Sequence, residues 1–399
     1  MTDTDSYQHA VMPTYGRAQL SFVRGEGSWL YTASDEAYLD CASGIAVNLF
    51  GHSDQGLRDA LHEQVDKLWH CSNLYRIEGQ EKLAWRLTRH TGLDHVFFCN
   101  SGAEANEAAV KMARRFQYRN SSADRYKIVC AGNSFHGRTL GMLAATDKPL
   151  FREGFGPMPE GFCHAPFGNL NALRDMLDSS VAAIMIEPVQ GEGGAVAAPA
   201  GYIEGVRAAA DEFGVLVIAD EVQSGMGRTG RLFAFEHAEI QPDIVVLAKG
   251  LGGGFPVGAV IARKDIGEAM GPGSHGSTFG GNPLAMAAAN AVLDGLEAPG
   301  FLDDVCRRAE ILDDGLNQLH SRFPDHIIET RGQGFLRGLK LSDALVAADV
   351  NGALRAHNLL CVPAGENVLR LLPPLTITES EIDFALKAIQ TYFDTLSSA

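Results

Sequence analysis

Between residues 80 and 262 the chain alternates short unbroken apolar runs with stretches whose apolar positions return every three or four residues. The unbroken runs cover 95–99, 127–131, 181–186, 215–219, 244–248 and 257–261. The periodic stretches between them cover 103–118, 170–177 and 203–213. Apolar strands separated by amphipathic helices predict an α/β fold with a mostly parallel sheet covered on both faces. Upstream, residues 20–39 alternate as a hairpin would, with Gly25-Glu26-Gly27 at the turn, and 54–68 carries a helical stripe of Leu57, Leu61, Val65 and Leu68. Downstream, an alanine-rich helix over 282–298 is placed to link two lobes. A helix over 303–322, short strands near 327–329, 336–340 and 368–371, and a last helix from about 379 predict a smaller α+β lobe.

The chain has 399 residues, 46% hydrophobic and 21% charged, enough to bury a large core in two lobes. Its net charge of −16 disfavours nucleic acid and anionic membrane surfaces as partners. No apolar run approaches the roughly 18 residues of a spanning helix. Residues 1–8 are polar and acidic, unlike a signal peptide, so a cytoplasmic location is expected. The seven cysteines (41, 71, 99, 130, 163, 306 and 361) are scattered, with no Cys-x-x-Cys and no ligand-spaced Cys/His pair. They read as reduced thiols, and no metal site is expected.

Ligands of such sheets gather at the carboxyl ends of the strands. The 244–248 run ends on Lys249, followed by Gly250, Gly252, Gly253, Gly254 and Pro256. A lysine there either snorkels to solvent or is used covalently as a Schiff-base amine, with the glycines letting backbone close around it. The run before residue 100 leads into Ser101-Gly102-Ala103, where the start of a helix offers a phosphate cradle or Ser101 a simple cap. Asp220 and Glu221 close another run, which suits a metal, acid/base work or a pyridinium partner for a lysine-bound pyridoxal cofactor. The run before Glu187 opens onto Gln190-Gly191-Glu192-Gly193-Gly194, a flexible loop at the same edge. Phe135-His136 offers aromatic rings to stack on a flat ligand, and Arg138 a fork for a carboxylate or a surface ion pair. Gly225-Met226-Gly227-Arg228-Thr229-Gly230 matches the dinucleotide fingerprint but lacks its strand–helix context and reads as a turn-rich loop.

As a set, these motifs resemble the ornithine-type (class III) pyridoxal-phosphate aminotransferases. Gly44-Ile45-Ala46-Val47, Trp69-His70-Cys71-Ser72-Asn73, Asn100 to Glu107, Asp220-Glu221-Val222-Gln223, Ala248-Lys249 and Gly276 to Pro283 carry the resemblance over nearly the whole chain. It implies fold type I, with a large cofactor-binding domain over 51–298, a small domain over 299–399 joined by 1–50, and a homodimer with shared sites. The cofactor it implies is pyridoxal 5'-phosphate. Lys249 would carry it, Asp220 would pair with the ring nitrogen, and Gln223 would lie near the ring hydroxyl. Ser101, Gly102 and Ala103 would hold the phosphate with Thr278 of the partner subunit, and Phe135 would stack on the ring. His136, Glu187 and Val222 complete the implied cofactor set. Arg138 and Ser277 would contact the donor, Arg370 the α-carboxylate, and Glu192 would be a movable acid that covers or frees Arg370. Where the family usually has threonine after Ser-Gly, Ala103 stands here. The implied reaction moves a terminal amine to 2-oxoglutarate. The Trp69–Asn73 stretch favours N2-acetylornithine over ornithine, succinylornithine, succinyldiaminopimelate or 4-aminobutyrate by resemblance alone. An aminomutase is the rival of a different class.

Overall fold

A computed structural model describes residues 10–120 and 122–397. The reading of residues 1–8 therefore falls outside the described residues. The chain opens on an antiparallel meander of β1 (Phe22–Glu26), β2 (Trp29–Thr32) and β3 (Ala37–Asp40). The first turn falls on Gly27-Ser28, later than the sequence suggests. Gly27 has φ 55°, which suits a two-residue hairpin turn.

The central sheet is built from β4 (His95–Cys99), β5 (Lys127–Ala131), β6 (Phe162–Ala165), β7 (Val181–Ile186), β10 (Leu216–Asp220), β11 (Ile244–Leu247) and β12 (Gly258–Ala262). Between β7 and β10 lies a small hairpin of β8 (Val189–Gln190) and β9 (Val196–Ala197). The central order is β4-β12-β11-β10-β7-β5-β6. Every neighbouring pair is parallel except the two that involve β12. β7, β10, β11 and β12 are buried along their whole length, which is why they read as unbroken apolar runs. The edge strand β6 escaped the pattern because His164 interrupts it and three of its four residues are only half-buried.

The helix Gly102–Arg119 buries Ala105, Ala109 and Met112 as expected, while Phe116 stays half-buried. Two helical readings need correction. The first helix is Gln55–Val65, capped by Asp54, and of its stripe only Leu57 is buried, with Val65 and Leu68 exposed. The helix Glu78–Thr91 has no counterpart in the reading, because its buried stripe is Leu83 and Leu87 with Arg86 between them, and Arg86 is charged. Arg86 is tolerated there through ion pairs to Asp294 and Glu297.

After the helices Pro283–Leu296 and Phe301–Arg322 come β13 (Ile327–Gln333), β14 (Leu336–Leu341), β15 (Leu359–Leu360), β16 (Val362–Ala364) and β17 (Val368–Leu371). Four of them form an antiparallel sheet of order β13-β14-β17-β16. β15 instead runs parallel to β3, so the N-terminal meander and the C-terminal region share a sheet. The last helix, Glu379–Ser397, buries Ile382, Ala385, Ile389 and Phe393. Among the described residues no helix is long and apolar enough to cross a membrane.

Candidate active site

Six strands of the central sheet point their carboxyl ends to one edge, and reversed β12 brings its start, Val257-Gly258, to the same edge. A cavity of about 440 Å³ opens there. Lys249, Asp220, Glu187, Gln223, Phe135 and the Ser101–Ala103 turn all line it. Because β7, β10 and β11 are neighbours, Glu187, Asp220 and Lys249 follow three adjacent strands.

Lys249 leaves β11 with φ 42° and starts a single 3-10 turn. A non-glycine residue in this left-handed region costs roughly 1–2 kcal/mol, which the surrounding sheet must hold in place. Burial lowers the Lys249 amine to about 8; Glu192 opposes that shift and the Arg370 charge adds to it. Of the glycines behind it, Gly254 lines the cavity with the amine, and the other three pack elsewhere. Side chains built at Gly250, Gly252 and Gly253 would meet Leu49, Val257 and Leu57, so these glycines serve core packing.

Asp220 is almost fully buried and heavily held. Its Oδ1 accepts from the Val222 N–H at 3.0 Å. Its Oδ2 accepts from Asn106 Nδ2 at 2.7 Å and faces His136 Nδ1 at 2.7 Å. His136 is therefore behind the carboxylate and does not pair with Phe135 as a second stacking ring. Burial alone would push the imidazole down, but Asp220 outweighs it and raises the His136 pKa. Glu187 Oε2 accepts from the Phe135 N–H at 3.0 Å, and burial pushes this carboxyl up to about 7. Glu221 turns away from the cavity, accepting from Ser224 Oγ and the Phe235 N–H, so it is no second acid of the site.

Ser101 caps the helix by accepting from the Glu104 N–H at 3.2 Å. The first helical N–H groups, on Gly102 and Ala103, have no intrahelical acceptor and remain for a ligand. Arg138 is exposed and stacked, its guanidinium carbon 3.5 Å from the Phe151 ring centre and 5.5 Å from that of Phe135.

Arg370 lies on β17 and is fully sealed. Its Nη2 donates to Glu192 Oε1 at 2.5 Å and its Nη1 to Gln223 Oε1 at 2.8 Å. A side chain at Gly191 would come within 1.8 Å of that same Gln223 oxygen and would displace the Gln223 amide from Arg370. Burial pushes the Glu192 carboxyl up, but Arg370 more than offsets this and the net shift is down. Stripping one partner from a buried pair costs about 3–5 kcal/mol. Arg370 can thus leave Glu192 only when another carboxylate replaces it, and Glu192 then needs a partner of its own.

Ser277 is not at the cavity of its own chain, and neither is Thr278, which is expected at the partner's. Ser277 and Thr278 line a second hollow with Phe97 and His275, not the Lys249 cavity of their own chain. Ser277 Oγ accepts from the Gly280 N–H, and Thr278 is exposed. Asn106 was part of a motif but had no role in the reading. The signal available was its spacing, one helical turn beyond Gly102 and Ala103 on the same face. The Gly225–Gly230 stretch is a loop, as read, and its Arg228 donates to the Phe335 and Pro373 carbonyls.

A family model for class-III aminotransferases matches residues 11–393. An acetylornithine aminotransferase of Brucella melitensis is 49% identical over 399 residues, covering 100% of this chain and 98% of that protein. Among solved structures, an ornithine aminotransferase from Toxoplasma gondii superposes with a TM-score of 0.94 at 32% identity, covering 100% of this chain and 97% of that one. An N-acetylornithine aminotransferase from Stenotrophomonas maltophilia superposes with a TM-score of 0.85 at 35% identity, covering 98% and 99%.

Proposed function

This chain belongs to the class-III aminotransferases, and from that premise we propose that it moves the terminal amino group of N2-acetyl-L-ornithine to 2-oxoglutarate, a step of arginine synthesis. The cofactor of the family is pyridoxal 5'-phosphate. The donor set fits it: a helix start for the phosphate, a buried carboxylate for the ring nitrogen, and a cavity-lining amine with a lowered pKa. When bound, this group supplies an aldehyde for the amine and a ring that takes up the electron pair of the substrate C–H bond.

The chain's own residues do the rest. The Gly102 and Ala103 N–H groups hold the phosphate, and backbone donation makes up for the hydroxyl that Ala103 lacks. Asp220, fixed by Asn106, His136 and Val222, keeps a proton on the ring nitrogen. Phe135 and Val222, which both line the cavity, would bracket the ring. Gln223 would lie by its hydroxyl, and Glu187 fixes Phe135 through its N–H. Lys249, whose amine lines the cavity, would hold the group covalently and, when free, would move a proton at the substrate carbon.

The observation that carries the two-substrate reading is the contrast between two arginines at one cavity. Arg138 lies open at the mouth, without an ion pair among the described residues, while Arg370 is masked by Glu192. An acylated donor, reacting through its far amine, uses Arg138 and Ser277 and leaves Arg370 masked. Glutamate, reacting through its α-amine, needs Arg370 for its α-carboxylate. Ornithine as donor is the second reading, favoured by the superposition on the Toxoplasma gondii enzyme.

The reading includes a homodimer with shared sites, in which Ser277 and Thr278 serve the partner's cavity. Exposed Leu68, Trp69, Leu74, Tyr75 and Phe279 support it: Asn73 binds the Ser277 and Gly280 carbonyls, which joins the two loops into one apolar face. The large domain is residues 51–298 and the small domain 299–399 together with 1–50. The pairing of β3 with β15 supports that last assignment. The location is cytoplasmic.

Absorbance traces of the holoenzyme mixed with single amino donors, without oxo acid, test the function. The proposal expects the fastest bleach of the cofactor band with N2-acetylornithine. A faster bleach with ornithine, succinylornithine, succinyldiaminopimelate or 4-aminobutyrate would move the substrate. Turnover that needs no 2-oxoglutarate would point to an aminomutase.

A further inference from the structure

A gate that exposes Arg370 must give one carboxylate two resting places. The first is Arg370 itself. The surroundings of the Glu192 loop offer a second. The Glu192 carbonyl accepts from the Gly365 N–H at 3.0 Å, which ties this loop to the turn before β17. Gly365 has no room for a side chain: a Cβ there would lie 2.8 Å from the Glu192 carbonyl oxygen and 2.9 Å from Lys148 Nζ. The Lys148 ammonium thus sits over Gly365, next to the main chain of Glu192.

That ammonium is half-buried and bonded to a neutral partner, Asn133 Oδ1, at 2.6 Å. Among the described residues it forms no ion pair. The other carboxylate nearby, Glu366, is already engaged: its Oε1 accepts from Asn133 Nδ2 at 3.0 Å and its Oε2 from Arg331 Nη1 at 2.6 Å. Lys249 cannot take the role, because its amine is occupied by the cofactor or the reacting proton. The electrostatics agree: after Arg370, the charges that pull the Glu192 carboxyl down against its burial are Lys249 and Lys148.

We propose that Lys148 is a positioning residue for the glutamate half-reaction, receiving the Glu192 carboxylate when Arg370 turns to the α-carboxylate of glutamate or 2-oxoglutarate. The proposal rests on the gate reading of Glu192. It makes Lys148 silent toward the acylated donor, during whose reaction Glu192 stays on Arg370.

The test uses the holoenzyme and its two half-reactions, each followed by single-turnover absorbance with glutamate or the acylated donor. Lys148→Gln is expected to raise the glutamate concentration for half-maximal rate by roughly tenfold, the scale of a modest two-state coupling. The donor half-reaction should stay within about twofold, as for a site without coupling. Lys148→Arg should restore the glutamate response, since it keeps the charge. In a Glu192→Gln background, Lys148→Gln should add nothing. Equal changes in both half-reactions, no change in either, or an effect that persists without the Glu192 carboxylate would overturn the role of Lys148. If Glu192→Gln alone leaves the ratio of the half-reactions unchanged, the gate reading itself falls, and the two failures stay distinct.

Discussion

On the sheet side of the cavity Asp220 is held through both carboxylate oxygens by Asn106, His136 and the Val222 N–H. On the side formed by the Gly191–Gly194 loop and β17, Arg370 has Glu192 and Gln223, and its Nε has no partner among the described residues. The first charge is over-determined and comes from rigid strand ends. The second has one ion-pair partner, carried by a glycine loop. The difference matches what each side has to do. A cofactor that stays in place through both half-reactions needs a fixed counter-charge. Two amino substrates that differ at the carboxylate need a charge that can be covered and uncovered.

The largest expected effect comes from the fixed side. Lys249→Ala should cut turnover by roughly 10⁴-fold or more while the protein still folds, checked by steady-state rates and circular dichroism. Asp220→Asn keeps the shape but removes the charge, and a fall in kcat of roughly 10³-fold is expected from the loss of one preorganised electrostatic partner. The movable side should respond by redistribution. Glu192→Gln weakens the cover on Arg370, so the ratio of glutamate to donor half-reaction rates should rise by roughly tenfold, read from single-turnover traces. An unchanged ratio would make the two sides alike. The smallest effect is in pH. The amine is nucleophilic only when neutral, so covalent capture of pyridoxal phosphate by the apoprotein should accelerate with pH and level off above about 8. A profile still rising at pH 10 would mean that burial does not lower this amine.

The same contrast decides what the sequence made legible. The buried strands announced themselves, because a strand covered on both faces reads as a nearly continuous apolar run; β7, β10, β11 and β12 fall within about one residue of where the pattern puts them. Lys249, Asp220 and Glu187 were readable as polar residues ending such runs. What stayed hidden depends on contacts between distant segments. The edge strand β6 and the helix Glu78–Thr91 each carry a polar residue on the buried stripe. His136 looked like a stacking ring until the fold set it against Asp220, 84 residues later. Three of the four motif glycines after Lys249 serve core packing. Arg370 was named by resemblance, but its burial beneath Glu192 needed β17 beside the Gly191–Gly194 loop. Ser277 shows the limit most plainly, since a single chain does not bring it to its own cavity.

The central claim is that Lys249 is the residue that joins the cofactor. Borohydride reduction of the purified holoenzyme, followed by peptide mass mapping, tests it most directly. One added pyridoxyl-phosphate mass is expected, on the peptide containing Lys249. The mass on any other lysine, or no stable adduct after loading with pyridoxal phosphate, would contradict it.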